Sequence, residues 1–200
     1  MNPIRLFPPT TNVVAHAELS RDGSRVVTRT RNGEIQVWEA ATGRAVSPRI
    51  KYDAPPNPPG SLTTRSFVLA IYRHNLIRAT FSPDARRILT VGPDLNVRVW
   101  DSVTGQPVCP PLPHPTNVVL IASNEDASRV ITATLDNRAR LWDSKTGRLV
   151  GGPLEHGTNL THVAFSRDGL LALTTSLDKT AKIWDATTGL AVGQVLTHED

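Results

Sequence analysis

All four tryptophans of this 200-residue chain occupy the same local pattern, in which an apolar residue precedes Trp and an acidic residue follows it. Trp100, Trp142 and Trp184 are separated by equal steps of 42 residues, whereas Trp38 lies 62 residues before Trp100. Each Trp is followed at the same distance by Thr-Gly, a pair that closes a hairpin because glycine accepts a positive φ. A fixed period of this length predicts copies of one small unit that stack on one another to bury a common core.

The last unit shows how each copy is built. Its alternation of apolar and polar residues, broken by turn residues such as Gly169, predicts four short strands, at 160–166, 170–176, 180–184 and 190–196. Consecutive short strands form an antiparallel meander, and one such sheet alone leaves a hydrophobic face uncovered. The sequence therefore predicts an all-β chain of four four-stranded antiparallel sheets, arranged around an axis as a β-propeller.

The Trp-Asp signature, its period and the Thr-Gly hairpins together resemble the WD-repeat (WD40-type) β-propeller family over nearly the whole chain. The resemblance implies one propeller segment made of four blades, at 1–50, 51–112, 113–154 and 155–200. A fifth repeat opens at His198 and is interrupted there. Between the first two tryptophans an insertion at 51–73 begins as a Pro-rich surface loop and becomes strand-prone from 66 onward, so it is either a tolerated loop or a partner contact.

Four such blades are expected to form about half a ring, because WD-type blades are wedges of which about seven or eight fill a circle. The two end faces would carry Val26, Val37, Leu171 and Ile183, an apolar area that a monomer rarely exposes. We expect these faces to be covered either by further blades of a longer parent chain or by a second copy in an eight-bladed homodimer.

In the WD-repeat family a buried hydrogen-bonded tetrad of Asp, His, Ser or Thr, and Trp holds each blade, and the resemblance implies the same structural network here. Such side chains can satisfy one another in a chain of hydrogen bonds. The matching positions are Thr28, Asn32, Trp38, His74, Thr90, Asp94, Trp100, His114, Thr132, Asp136, Trp142, His156, Thr174, Asp178 and Trp184.

The first blade departs from this tetrad pattern, with Thr10 in place of His, Asn32 in place of Asp and Glu39 after its Trp. Its tetrad is therefore expected to be incomplete. In the third blade, Asp136→Ala should strand buried donors and cost about 1–3 kcal/mol of stability.

The resemblance also implies a function, that of a rigid scaffold that binds protein partners on one propeller face. In that family the face is formed by residues before the turn Asp and at the starts of the first strands. Those positions here are Arg31, Pro93, Leu135, Leu177, Asn75, Ile77, Asn117, Val119, Asn159 and Thr161. Leu135 and Leu177 are the strongest candidates, because exposed apolar side chains mark contact sites. The alternative is a sensor or regulatory propeller segment of a larger enzyme, such as a kinase or protease.

Other classes of function find little support in the sequence. No catalytic motif, cofactor-binding loop or metal-ligand spacing is apparent, and His16 and His162 merely repeat at matched first-strand positions. The single cysteine, Cys109, forms no intramolecular disulfide, which suits the cytoplasm. The longest apolar run, 67–72, is far shorter than the roughly 20 residues of a membrane helix. The net charge of +4 comes from interspersed basic residues, so nucleic acid is not an expected partner.

Overall fold

The computed structural model describes residues 13–51, 79–92 and 94–198, and the regular elements in these ranges are all strands. The first blade contains β1 (Val14–Leu19), β2 (Arg25–Thr30) and β3 (Ile35–Glu39), and the second contains β4 (Ala79–Phe81), β5 (Arg87–Val91), β6 (Asn96–Asp101) and β7 (Leu112–Pro113). The third contains β8 (Val118–Ser123), β9 (Arg129–Thr134), β10 (Arg138–Asp143), β11 (Arg148–Leu149) and β12 (Leu154–Glu155). The fourth contains β13 (Leu160–Phe165), β14 (Leu171–Ser176), β15 (Thr180–Asp185) and β16 (Ala191–Thr197).

Neighbouring strands in each of the four sheets run antiparallel and follow the order of the chain, except that β12 of the third blade pairs with β10 beside β11. In the fourth blade this order is β13-β14-β15-β16, and the strand bounds lie within about one residue of those predicted from the sequence. In the first blade, single bridges at Ile50 and Ala45 stand in the place of the fourth strand. The predicted all-β meander is confirmed, whereas the blade boundaries at 50, 112 and 154 remain predictions.

The turn between the first two strands has the same backbone conformation in every blade. Its key position carries a positive φ at Gly23, Ala85, Ala127 and Gly169, between 54° and 73°. Two blades thus hold alanine in a region that favours glycine, and in both of them a Cβ is buried there. The turn shape is therefore set by the repeat and not by the residue at this position.

The chain divides into two compact units, one of residues 1–94 with 98–107 and one of residues 95–97 with 108–200. The core of the first unit joins Val27, Ile35, Val37 and Ile50 of the first blade to Ala79, Phe81, Ala85, Ile88 and Trp100 of the second. The core of the second unit joins Ile131, Ala133, Ala139, Leu141 and Leu154 of the third blade to Leu160, Val163, Ala172 and Trp184 of the fourth. Each core thus fills the space between two successive blades.

In each unit, an arginine at the start of one blade's second strand forms hydrogen bonds to the next blade. Arg25 of the first blade donates to the carbonyl oxygen of Ala85 at 3.2 Å and to Oγ of Ser102 at 2.7 Å. Arg129 of the third blade donates from Nε to the carbonyl oxygen of Ala186 at 3.1 Å. The contact between blades is therefore an apolar core closed at one end by a guanidinium.

The residues expected on uncovered faces are buried in the first blade and more exposed in the fourth. Val26 and Val37, expected on such a face, are both buried, and Val37 packs toward the second blade. The expectation is wrong for Val37, because Val37 and its cross-strand neighbour Val27 lie on the side of the first blade that the second blade covers. Val26 pairs with Trp38 on the other side of the sheet. Leu171 is exposed and Ile183 half-buried in the fourth blade, as expected for a face without a neighbour. No helix among the described residues could span a membrane.

Candidate functional site

A buried pair of a threonine hydroxyl and an indole lies between the second and third strands of every blade. The indole N–H donates to the hydroxyl oxygen in each pair, with distances of 2.7 Å for Trp38–Thr28, 2.9 Å for Trp100–Thr90, 3.0 Å for Trp142–Thr132 and 2.8 Å for Trp184–Thr174. The structure thus brings all four predicted Thr–Trp pairs together, and the structural role assigned to them stays a prediction.

In the fourth blade the complete tetrad is assembled. The hydroxyl of Thr174 lies 2.8 Å from Nε2 of His156, whose Nδ1 lies 3.2 Å from Oδ2 of Asp178. Because a carboxylate only accepts, Nδ1 carries the proton and Nε2 accepts the threonine hydrogen. Asp178 also accepts from the backbone N–H of Gly157 at 2.7 Å and from Thr180. The buried hydroxyl, imidazole and indole therefore all have partners.

In the third blade the same four residue types are connected differently. Nε2 of His114 lies 2.8 Å from the hydroxyl of Thr132, but Nδ1 donates to the carbonyl oxygen of Leu112 at 2.9 Å. Asp136 accepts instead from Nη2 of Arg140 at 2.7 Å. The structure thus brings His114, Thr132 and Trp142 together without a bond from Asp136 to the imidazole.

The first two blades hold only part of the tetrad within the described residues. Asn32 accepts from Thr30 in the first blade, and Asp94 accepts from Arg98 at 2.8 Å in the second. The positions assigned to histidine, Thr10 and His74, lie outside the described residues, so the expected incompleteness of the first tetrad remains a prediction.

The electrostatics of both histidines favour a neutral imidazole. Burial lowers the pKa of His114 to about 4, against the opposing effect of its bond to Leu112. Burial also lowers the pKa of His156, although Asp178 opposes the change. Partial burial of Asp178 is outweighed by hydrogen bonds from Thr180, Gly157 and His156, which hold the pKa of that carboxyl well below its usual range. The two imidazoles therefore stay neutral and the Asp178 carboxylate stays charged, which suits a structural network more than proton transfer.

A second predicted group, the candidate partner-binding residues, lies where the turn between the second and third strands meets the start of the first strand. The backbone N–H of Leu135 donates to the carbonyl oxygen of Asn117 at 3.1 Å, and that of Leu177 to Asn159 at 3.0 Å. In the first blade Arg31 makes the equivalent bond to Val13 at 2.8 Å. In the third and fourth repeats, residues assigned to this surface from two distant stretches of the repeat are therefore adjacent.

We name the pairs Leu135 with Asn117 and Leu177 with Asn159 the leucine end of the second unit. Leu135 is 54% exposed and Leu177 is 64% exposed, while Asn159 is exposed and Asn117 half-buried. At the opposite end of the two blades, an added Cβ at Gly169 would lie 3.1 Å from Asn124, so the first turns of the blades adjoin there. The two leucines consequently project from the same end of this unit.

The remaining candidates contribute less to that surface. Val119 is half-buried, and Thr161 is exposed but its hydroxyl is paired with that of Thr175 at 2.7 Å. Arg31 is exposed in the first unit. Pro93, Asn75 and Ile77 lie outside the described residues.

The arginines that pair with the turn carboxylates were not anticipated from the sequence. Arg98 and Arg140 both stand two residues before a Trp, and the side chain of each is mostly buried against the Asp four residues earlier. The four-residue spacing from Asp to Arg could have predicted these ion pairs, since side chains four residues apart across a tight turn can meet. Burial lowers the pKa of Arg98 without discharging it.

Comparisons with known proteins bear on these observations. A family model described as WD40, "WD domain, G-beta repeat", matches residues 66–101 and 148–185. No curated protein sequence matches the chain. Among solved structures, the crystal structure of the computationally designed Ika8 protein is similar, with a TM-score of 0.62 and 20% sequence identity. The similarity covers 86% of this chain and 46% of that one, so the present chain spans about half the length of the designed protein. At this identity the likeness concerns the fold alone.

Proposed function

This chain carries WD40 repeats on propeller blades, and from that premise we propose that it is a non-catalytic scaffold that binds protein partners through the leucine end of its second unit. WD40 repeats generally mediate contacts between proteins, and the leucine end is where two predicted groups of contact residues meet. The observation that carries the proposal is the exposure of Leu135 and Leu177 at neighbouring blade ends.

The chemistry of this end fits a protein partner. Two large apolar side chains project from tight turns whose backbone is already hydrogen-bonded to the adjacent strand, so little entropy is lost when a partner packs on them. The backbones of Asn117 and Asn159 adjoin the two leucines, so each apolar side chain has a polar residue next to it, and apolar groups flanked by polar ones are typical of interfaces.

The non-catalytic part of the proposal is supported by how the histidines are used. His114 and His156 are committed to threonine hydroxyls and are held neutral by burial. Cys109 is buried, and burial raises the pKa of its thiol, which disfavours the nucleophilic thiolate. An unpaired thiol is also consistent with a reducing compartment, and we place the protein in the cytoplasm on that basis.

Site-specific photo-crosslinking tests the proposed surface. A photoreactive side chain introduced at position 135 or 177 should trap a protein partner from an extract of the source cells. The control is the same group at position 149, because Leu149 is also exposed but lies on β11, at the outer edge of the third blade.

The trapped partner is then produced separately and titrated against the wild-type chain and against the double variant Leu135→Asp, Leu177→Asp. We expect binding to weaken by at least about tenfold in the double variant and to persist in Leu149→Asp. Equal trapping at all three positions, or unchanged affinity of the double variant, would show that the partner binds elsewhere.

A further inference from the structure

The turn between the second and third strands has a similar backbone conformation in every blade. The residue that follows the turn Asp or Asn has a positive φ in each, namely 88° at Gly33, 63° at Leu95, 63° at Asn137 and 67° at Lys179. A side chain at such a φ is disfavoured, and only the first of the four blades avoids it with glycine. That blade also carries Asn32 where the other three carry aspartate. The first blade therefore presents the dipeptide Asn32-Gly33 within a tight turn.

The side chain of Asn32 is exposed and has fewer partners than the turn carboxylates of the third and fourth blades. Its Oδ1 accepts from the hydroxyl of Thr30, and within the described residues its amide nitrogen has no hydrogen-bond partner. The backbone N–H of Glu34 donates to the Thr30 hydroxyl at 3.1 Å. In the other two blades the equivalent N–H donates to the turn carboxylate itself, at 3.2 Å from Arg138 and 3.0 Å from Thr180. The Asn32 amide is therefore free to rotate toward the backbone that follows it.

An exposed asparagine amide next to glycine can react with the main chain. The backbone nitrogen of Gly33 closes a five-membered ring when it bonds to Cγ of Asn32, and a Cβ on the second residue would crowd this ring closure. The Gly33 N–H donates to the carbonyl oxygen of Thr30 at 3.0 Å, so this turn bond must open before the nitrogen can attack. Exposed turns open readily by local fluctuation, and Asn32 lies at the tip of this one.

The two Asp-Gly pairs of the chain, at 22–23 and 168–169, are chemically different. Hydrogen bonds from the side chain of Ser20 and from Ser24 lower the pKa of Asp22 to about 2. Hydrogen bonds from Ser166 and from the backbone N–H of Leu170 likewise lower the pKa of Asp168. Both carboxyl groups are therefore ionised at neutral pH, and a carboxylate resists attack by a nucleophile. The amide of Asn32 carries no charge and lacks this protection.

We propose that Asn32 is a site of spontaneous deamidation, which gives the first-blade turn a carboxylate like those of the other blades. The Gly33 nitrogen loses its proton to water and bonds to Cγ of Asn32. The bond between Cγ and Nδ2 breaks, and Nδ2 takes up a proton and leaves as ammonia. Water then hydrolyses the cyclic imide. Cleavage between Cγ and the Gly33 nitrogen gives aspartate, and cleavage between the main-chain carbonyl carbon and that nitrogen gives isoaspartate.

The two products differ in what they do to the turn. Aspartate keeps the main chain unchanged and places a negative charge beside Arg31, which is exposed. Isoaspartate adds a methylene to the main chain between Thr30 and Glu34, whose backbone groups are joined by a hydrogen bond of 2.9 Å. The reaction therefore changes the charge of this surface in either case and changes the shape of the turn only in the second.

Peptide mapping of the intact folded chain follows the reaction. After incubation at neutral pH, cleavage after glutamate releases residues 19–34, which contain Asn32 together with the control pair at 22–23. The exchange of an amide for a carboxyl group changes the mass of this peptide, fragmentation places the change at position 32, and a methyltransferase specific for isoaspartate labels the second product. We expect conversion at Asn32 to be at least about tenfold faster than at Asn137, which precedes Arg138 in the corresponding turn of the third blade.

Gly33→Lys is the matched variant, because the fourth blade holds Lys179 at a positive φ in the same turn. It should slow the conversion of Asn32 at least about tenfold while circular dichroism shows unchanged strand content. The wild-type chain unfolded in urea gives the rate at Asn32 without the turn. Equal rates at Asn32 and Asn137 in the folded chain, or an intact Asn32 in the folded chain after the unfolded chain has converted, would show that the turn protects the amide and would overturn the proposal.

Discussion

The third and fourth blades contain the same four tetrad residue types at the same spacing, but only the fourth joins all of them. His156 donates to Asp178, whereas His114 donates to the backbone of Leu112. Both arrangements leave the threonine and indole at the center unchanged. The comparison teaches that the hydroxyl–indole pair is the constant part of the network and that the carboxylate is the adaptable part.

The residue two positions before the Trp accounts for the difference. In the third blade it is Arg140, whose planar guanidinium reaches Asp136 and the hydroxyl of Thr134. In the fourth it is Lys182, whose ammonium extends to the carbonyl oxygen of Glu155 at 2.7 Å. Asp178 is thereby left to the imidazole, so one basic side chain decides which partner the turn carboxylate takes.

Removing the threonine hydroxyl at the center of a tetrad should have the largest effect on stability. Thr132→Val and Thr174→Val keep the side-chain volume but leave a buried indole N–H and a buried imidazole nitrogen without partners. We expect each to lower the free energy of unfolding by about 3 kcal/mol, measured by urea denaturation. Thr175→Val, on the same strand as Thr174 but paired only with Thr161, should cost much less. A large difference between the two buried threonine variants would mean that the blades do not share this center.

Removing the turn carboxylate should affect the third and fourth blades differently. Asp136→Ala leaves the mostly buried guanidinium of Arg140 without its carboxylate, and we expect a loss of about 2 kcal/mol. Adding Arg140→Met to Asp136→Ala should recover most of the lost stability, because the double variant no longer holds an unpaired charge. Asp178→Ala should lose a similar amount that Lys182→Met does not recover, since Lys182 binds elsewhere. Equal recovery in both blades, judged by denaturation of the single and double variants, would remove the proposed distinction.

The smallest effect expected is a dependence on pH through His114. Its pKa of about 4 in the folded chain lies below the roughly 6.5 of an unfolded histidine, so the unfolded state binds more protons between these values. The stability that this group contributes is complete above about pH 6.5 and is lost as the pH falls toward 4. From pH 7 to pH 5 we expect a decrease of roughly 1–2 kcal/mol. His114→Asn should flatten this part of the pH profile, and an unchanged slope would place the dependence on other groups.

Much of the fold was predictable because the same residue pattern occurs in all four repeats. The bounds of the fourth-blade strands followed from matched positions in the repeats. The Thr–Trp pairs, and the surface to which Leu135 and Asn117 were assigned, were implied by the resemblance to the WD-repeat family. The side of β3 on which Val37 lies was not predicted correctly, since alternation alone does not say which face of a sheet has a neighbour. The partner-binding role of Leu135 and Leu177 and the structural role of the whole tetrad set remain predictions.

By itself, the sequence determined the repeated unit of short antiparallel strands and their order, because these depend on residues close together in one blade. The hydroxyl–indole pair was implied by the resemblance to the WD-repeat family. Only the tertiary structure showed how the carboxylates are shared, since Asp136 bonds to Arg140 and Asp178 to His156 although both blades carry the same four tetrad residue types. It also decided which copies of a repeated position are covered: Leu154 and Leu196 are the same residue in the same register, and one is buried because another blade packs against it.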